Sequence, residues 1–219
     1  MHESTTLPVD RQHYALIVVV LLVMAWSAWR PHDWPTWFLE AAPVLIAVPV
    51  LAITYRVFPF TTLAYWMMAL HAVILLVGAH YTYAEVPWFN GLRDTYGLGR
   101  NHYDRIGHIA QGFFPALVIR EILLRRSPLK PGGWLFFIVT CIALAISAFY
   151  ELIEWWVALL ADDGAVTFLG TQGDPWDTQW DMFLALCGAV AAQLLFRRMH
   201  DRQLGPLLNR APRKRARQN

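Results

Sequence analysis

Six long apolar stretches constrain the fold of this chain more than any other feature. Each approaches or exceeds the roughly 20 residues that a helix needs to cross a bilayer. A composition that is 57% hydrophobic and only 16% charged argues against a soluble domain. The sequence therefore predicts an all-α fold, a polytopic membrane protein built as a six-transmembrane-helix bundle. The predicted helices lie near 13–30, 38–55, 62–80, 105–124, 134–160 and 180–197.

The distribution of basic residues predicts the orientation of this bundle. The predicted transmembrane domain covers residues 1–200, and a basic tail follows at 201–219. Fourteen of the 18 Lys and Arg residues flank one side of the predicted membrane domain, and four flank the other. The positive-inside rule places the richer side, with both termini, in the cytoplasm. We expect the tail to touch anionic lipid, and we expect no nucleic-acid partner because no suitable fold accompanies the charge.

Four ionisable residues lie inside the apolar stretches: His108, Glu151, Glu154 and Asp181. Such groups are costly in hydrocarbon unless they are paired or hydrated, and they commonly mark functional sites. At about 1.5 Å per residue, all four fall near the non-cytoplasmic ends of their helices. Reversing the orientation would move them together, so the match in depth does not depend on it.

The same residues fall on three helical stripes, because residues spaced i, i+4 and i+7 share one face of a helix. We expect these stripes to point inward at one another, with His80 at the same level. The stripes are Asp104, His108 and Gln111; Ser147, Glu151 and Glu154; and Asp177 with Asp181.

Two structural interpretations compete with a functional one. Asn101 to Asp104 resembles the start of a helix with an acidic capping residue, and Asp174 before Pro175 does the same for the last helix. The buried acids and His108 could also form an ion-pair network with the loop arginines. Capping does not explain His108, Glu151, Glu154 or Asp181, which lie beyond the first turn or at the far end of a helix.

The functional interpretation is a catalytic or ligand-binding site. Carboxylates favour Mg²⁺, Mn²⁺ or Ca²⁺, and a histidine adds Zn²⁺ or Fe²⁺ to the metals that such a site could hold. Without a metal, the same groups could act as a general acid–base pair. The loop arginines could hold the phosphate or carboxylate of a lipid-like substrate. The candidate catalytic residues are Asp104, His108, Glu151, Glu154, Asp177 and Asp181; the candidate substrate-binding residues are Arg93, Arg100, Arg105, Gln111 and Trp176; the candidate metal ligands are His80, His108, Glu151, Glu154 and Asp181.

Other polar positions receive ordinary structural interpretations. The loops 81–104 and 161–179 are rich in polar and aromatic residues and are not predicted to contain a long helix. Cys141 and Cys187 are expected to be buried small hydrophobes. Glu40 is expected at the interface, His71 as a hydrogen-bonded packing residue, and Arg120 and Glu121 as residues that extend to the membrane surface.

Four runs of the sequence are distinctive: HYTYAEVP, RNHYDRIGHIAQGFFPALVIRE, ELIEWW and LGTQGDPWDTQWDMFLALCGA. They resemble the YjdF-like family of small bacterial inner-membrane proteins. The resemblance covers most of the chain from about residue 10 to 200, and it implies a location and a fold more than an activity.

A shorter pattern runs D-[KR]-x-x-H on one helix, an acidic or amide residue late on the next, and Asp before a helix that contains glycine. Here it corresponds to Asp104 to His108, then Glu151 and Glu154, then Asp177 or Asp181 with Gly188. This pattern is similar to VanZ-like membrane proteins, which are linked to envelope properties. This chain departs from the pattern by carrying two acids on the fifth helix.

Three functional hypotheses follow. The first is an inner-membrane protein whose polar site acts on a lipid-linked or cell-envelope substrate, with or without a divalent metal. The second is a small transporter or proton-coupled carrier, since intramembrane acids and histidines also build relays. The third is a non-catalytic partner in a membrane assembly. The sequence decides neither the reaction nor whether the protein is an enzyme.

Overall fold

The described part of the chain is built from helices. A computed structural model describes residues 11–160 and 171–210, and no strand occurs among them. A short 3₁₀ turn, Tyr83–Glu85, is the one regular element there that is not α-helical. The all-α prediction is therefore confirmed for the described residues. The helices are α1 (Arg11–Ser27), α2 (Trp34–Thr54), α3 (Thr62–Tyr81), α4 (Pro87–Tyr96), α5 (Tyr103–Arg126), α6 (Gly133–Leu160) and α7 (Asp177–Arg210).

Five of these described helices are long and apolar enough to cross a membrane: α2, α3, α5, α6 and α7. Their outward faces carry large exposed hydrophobic side chains such as Ile53 and Leu195. Such a surface suits a lipid environment rather than water. Helix α1 is apolar but only 17 residues long. The predicted count of six spans is therefore not confirmed: five described helices qualify, and α1 is slightly short.

The structure departs from the sequence predictions in three places. The loop 81–104 contains α4, a ten-residue helix that begins at Pro87. Helix α7 continues through Arg210, so the predicted domain boundary at residue 200 falls inside a helix. Cys141 and Cys187 are exposed rather than buried. The segments 161–170 and 211–219, which hold part of the second loop and the last nine residues of the tail, lie outside the described residues.

Consecutive long helices run in alternating directions, which gives the bundle two distinct ends. We call the end that holds His108 the acidic end and the end that holds Arg125 the basic end. Helix α5 packs against α3, α6 and α7, and α3 packs against α1 and α2. Helices α3 and α5 are therefore the central pair, and the residues that begin α5 lie among several neighbours.

Helices α5 and α7 approach each other closely because small residues face one another along their contact. A Cβ atom added to Gly112 would overlap the carbonyl group of Ala185, and one added to Gly188 would overlap the carbonyl oxygen of Ile109. Small residues that let two backbones touch are a common means of helix association in membranes. This contact sets the spacing between the polar ends of α5 and α7.

A hydrogen-bonded network ties the helices together at the basic end. Glu121 is fully buried and accepts hydrogen bonds from the backbone and hydroxyl of Thr61, from Arg125, and from the ring of His200. Arg120 is also buried and pairs with Asp201 at 2.6 Å. The expectation that Arg120 and Glu121 extend to the surface is therefore wrong. Their partners satisfy them inside the bundle, as buried charges require.

The contact at Gly188 generates a prediction about stability. Gly188→Ala should lower the free energy of unfolding by about 1–3 kcal/mol, because its methyl group meets the α5 backbone. Thermal unfolding in detergent, followed by tryptophan fluorescence, measures the effect. Gly205→Ala in the same helix is the control, since an added Cβ there meets nothing within 4 Å. Equal melting temperatures for the two variants would contradict the proposed contact.

Candidate functional site: an acidic cluster at one end of the bundle

The start of α5 is fixed by an asparagine that reaches into the preceding loop. Asn101 accepts a hydrogen bond from the backbone of Tyr103, and its amide donates to the carbonyl oxygen of Val86 and to the side chain of Asn90. The position of the first turn of α5 is therefore set by α4 and the residue before it. That turn carries Asp104, and the next carries His108.

The predicted polar stripes do meet. The Nε2 atom of His108 lies 3.5 Å from Asp104, 3.8 Å from Glu151 and 3.8 Å from Asp181. These carboxylates come from α5, α6 and α7, and all three are buried. Glu154 joins them, since it lies with His108 and Glu151 in a group that could share one ion. We call Asp104, His108, Glu151, Glu154 and Asp181 the acidic cluster.

The other nitrogen of His108 contacts a neighbour on the same helix. Its Nδ1 atom lies 3.3 Å from the Oε1 atom of Gln111. The distances from Nε2 to the carboxylates exceed the roughly 2.7–3.2 Å of ordinary N–H···O hydrogen bonds. In the tautomer that is protonated only at Nδ1, Nε2 can bind a metal; with both nitrogens protonated, the ring pairs with the carboxylates as a cation.

Several buried polar atoms of the cluster lack a hydrogen-bond partner among the described residues. They include the Oε1 atom of Glu151 and the Oδ1 atom of Asp181. One turn before Glu151, the buried hydroxyl of Ser147 also has no hydrogen-bond partner among the described residues. Two overlapping triads place their ligand atoms within 4.8 Å of one another: Asp104 with His108 and Asp181, and His108 with Glu151 and Glu154. Small side-chain rotations would bring either triad onto one cation.

Arginines offset the charge of the cluster only in part. Arg100 hydrogen-bonds Asp177 and lies 3.2 Å from Asp104, and Arg105 lies 2.6 Å from Asp174. Burial disfavours the charged form of Arg100, but the hydrogen bond and charge of Asp177 outweigh it and raise the pKa of Arg100. The loop arginines therefore pair with Asp104, Asp174 and Asp177, and not with the described acids Glu151, Glu154 and Asp181 for which such a network was predicted.

These contacts revise the structural interpretation of two aspartates. Asp174 accepts from the backbone of Trp176, as a capping residue would, and also pairs with Arg105. Asp104 instead directs its carboxylate to Arg100 and His108. No described arginine pairs with Glu151, Glu154 or Asp181. The histidine and these three acids remain the part of the cluster that ion pairing with arginine leaves unexplained.

Three predicted site residues lie apart from the cluster. Arg93 pairs with its neighbour Asp94 at the surface, and Trp176 is 64% exposed. The Nδ1 atom of His80 lies 3.1 Å from the carbonyl oxygen of Ser27, and its ring stacks on Trp26. His80 belongs to neither triad. Gln111, by contrast, contacts His108 directly.

Sequence reasoning missed two groups that border the cluster. Glu40 of α2 is buried and accepts hydrogen bonds from the Thr82 hydroxyl and the Tyr83 backbone, while its Oε2 atom has no partner among the described residues. The ring of Tyr83 lies against Gly78 and Gly107, where any Cβ would overlap it. Burial raises the pKa of Tyr83, so its phenol stays neutral. Gly78 and Gly107 were the sequence feature that could have indicated this site, because each leaves room for a large side chain beside a polar residue.

A long groove opens from the acidic cluster along the bundle. It has a volume of about 1760 Å³, whereas ordinary small-molecule pockets measure about 300–1,000 Å³. Residues of α3 and α5 line it, and so do α2 and the turn that follows α2, from Glu40 to Arg56. Asp104, His108 and Glu154 line its acidic end. A group held at the cluster is therefore in contact with an apolar passage rather than with a closed chamber.

Comparison with known proteins agrees with this membrane architecture. A family model described as "Predicted membrane protein (DUF2238)" matches residues 12–202. The chain belongs to this family. The "Inner membrane protein YjdF" of Escherichia coli (strain K12) is 49% identical over 187 residues, which cover 85% of this chain and 90% of that protein. No solved structure matches the chain.

The membership confirms the resemblance to YjdF-like proteins that the four sequence runs indicated. The chain is an inner-membrane protein with several apolar helices. The shorter likeness to VanZ-like proteins gains no support from these comparisons.

The pairing of Arg100 generates a second prediction. Arg100→Ala should lower the free energy of unfolding by about 3–5 kcal/mol, because it leaves Asp177 and Asp104 buried without their partner. Arg93→Ala is the control, and it should cost under about 1 kcal/mol because its pair with Asp94 is at the surface. Unfolding midpoints in detergent provide the comparison. A loss for Arg100→Ala as small as that for Arg93→Ala would show that the buried pair is dispensable.

Proposed function

We propose that the acidic cluster binds a divalent cation and acts there on a lipid-linked or cell-envelope substrate. The observation that carries this proposal is the position of the His108 Nε2 atom, which faces carboxylates from three helices at 3.5–3.8 Å. None of these distances is that of a normal hydrogen bond, so a proton on Nε2 would leave the carboxylates poorly satisfied. A cation among them would offset their charge and supply partners for the buried oxygens of Glu151 and Asp181.

The ligand set favours particular metals. One imidazole nitrogen with several carboxylate oxygens suits Mn²⁺ and Mg²⁺ best. Because histidine also binds Zn²⁺ and Fe²⁺, these two ions remain candidates. Gln111 would orient the histidine from outside the metal shell, which is the usual role of such a partner. Arg100 would then hold Asp104 with one oxygen turned toward the cation.

The groove supports a lipid-like substrate. Glu154 and His108 line its acidic end, so a headgroup that enters from the apolar side meets these residues first. A bound cation would polarise a phosphoryl or carbonyl oxygen of that headgroup. Glu154 is placed to accept a proton as a general base, with or without the metal. Arg100 and Arg105 already hold carboxylates, so we assign them to support of the acids rather than to the substrate.

A carrier is the second candidate, and the groove is what favours it. His71 lines the groove about halfway along α3, and its Nε2 atom is buried without a partner among the described residues. A polar group at this depth could assist the passage of a proton or a headgroup. Flux through reconstituted vesicles would distinguish a carrier, since a site that works at one surface requires none.

We also infer that α1 completes a six-span topology with both termini in the cytoplasm. Its 17 residues extend about 26 Å, close to the roughly 30 Å of a hydrocarbon core. In a variant without Cys141 and Cys187, Asp94→Cys at the acidic end should react with an impermeant thiol reagent in spheroplasts. Lys130→Cys at the basic end should react only after permeabilisation. The reverse pattern would invert the topology.

The cation proposal predicts a binding stoichiometry and its loss. Purified protein should bind close to one Mn²⁺ per chain, and His108→Ala or Asp181→Asn should weaken binding about tenfold or more, since each removes a ligand. Elemental analysis and Mn²⁺ titration followed by electron paramagnetic resonance measure this. Asp94→Asn, which changes a surface acid, is the control.

A different set of results would contradict the cation proposal. If the wild-type protein binds no ion at saturating Mn²⁺, and alanine variants of His108, Glu151, Glu154 and Asp181 all fail to fold, the cluster is a structural network. A stoichiometric second protein that co-purifies in mild detergent would instead favour the assembly-partner hypothesis.

A further inference from the structure

The charges along the groove are separated into two sets. Its acidic end is lined by Glu40, Asp104 and Glu154. Its basic end is lined by three arginines, Arg56, Arg125 and Arg126. Among the described residues that line the groove, no carboxylate lies at the basic end. An occupant of that end therefore gains from carrying negative charge.

Two of the three arginines of the basic end lie over one aromatic ring. The guanidinium carbon of Arg125 lies 3.7 Å from the centre of the Phe58 ring, and that of Arg126 lies 4.9 Å from it. Arg125 is also committed to Glu121 and to the carbonyl oxygen of Pro59. Arg56 and Arg126 are exposed, and neither is in an ion pair with a described residue. The positive charges of Arg56 and Arg126 at the basic end of the groove are thus available to a ligand.

The middle of the groove is apolar and long. Its lining there includes Val44, Ala47, Leu51, Ala72 and Val118. Seventeen residues of α5 separate His108 from Arg125, a distance of about 26 Å along the helix. A phospholipid chain spans about half of a hydrocarbon core of about 30 Å, so the passage is long enough to hold one in extended form. Its length and apolar lining therefore suit an extended hydrocarbon chain better than a compact polar molecule.

We propose that the groove binds an anionic phospholipid, with its phosphate on Arg56 and Arg126 and a hydrocarbon chain extending over α3 and α5 toward His108. Guanidinium groups recognise phosphate through paired hydrogen bonds. In the absence of a bound cation, the opposite placement would bring the phosphate against the carboxylates of Glu40, Asp104 and Glu154. This lipid site does not depend on the cation site, and its headgroup lies at the other end of the bundle.

The first arm of the test uses the full-length protein in mild detergent micelles. Phosphatidylglycerol and phosphatidylcholine with identical chains are added in equal amounts, and native mass spectrometry counts the lipids retained. One phosphatidylglycerol should remain bound, with a preference of about tenfold or more over phosphatidylcholine, because two arginines attract the anionic headgroup. Equal retention of the two lipids, or a bound protein in their place, would overturn the proposal.

The second arm tests whether the lipid binds the arginines at the basic end of the groove or is attracted by positive charge anywhere on the protein. Arg56→Gln combined with Arg126→Gln should abolish the preference. Arg197→Gln combined with Arg198→Gln is the control, since it removes the same charge from exposed positions of α7 that do not line the groove. Equal losses in the two double variants would mean that surface charge alone attracts the lipid, and would contradict a defined site.

The third arm blocks the passage for the chain. Ala47 is exposed on α2 and lines the groove, so Ala47→Trp should reduce retention of both lipids about tenfold without disturbing buried packing. Ile46→Trp is the matched control, because Ile46 is 63% exposed and does not line the groove. Unchanged retention in Ala47→Trp would show that no chain occupies the groove. Mn²⁺ binding should persist in all these variants, which keeps the two proposals separate.

Discussion

The close approach of α5 and α7 is the constraint on which the polar site depends. Gly112 and Gly188 let the two backbones touch, so side chains one or two turns away can meet across the seam. His108 on α5 and Asp181 on α7 meet at that distance. Larger residues would separate the helices and move the carboxylates of α7 away from His108. The uncharged contact at Gly112 and Gly188 thus determines how close the ionisable side chains of His108 and Asp181 lie.

The two ends of the bundle use ionisable residues differently. At the basic end, Glu121 is surrounded by donors, which is the condition under which a buried charge stabilises a fold. At the acidic end, Arg100 and Arg105 hold three aspartates, but Glu151 and Asp181 keep oxygens without partners. The first arrangement is complete within the described chain. The second is what a binding site requires before its ligand arrives.

Much of this site follows from the regular geometry of helices. A constant rise and a repeat of 3.6 residues were enough to predict that His108, Glu151 and Asp181 share a depth and that their stripes converge. Glu40 and Tyr83 were missed because their contacts depend on the turn after α3, where Thr82 has a positive φ of 59°. That turn folds the chain back onto α2, and no periodic pattern encodes it. Likewise, the sequence does not distinguish an arginine that holds carboxylates from one that awaits a substrate.

The shallow position of the acidic cluster has an electrical consequence. His108 lies five residues into α5, about 8 Å along a hydrocarbon core of about 30 Å. An ion that reaches it from the acidic end crosses only about a quarter of the membrane field. Full passage is worth about 2.3 kcal/mol per charge at 100 mV, so a divalent ion would gain or lose only about 1.2 kcal/mol. Occupancy of the cluster would therefore change less than tenfold between an energised and a depolarised membrane.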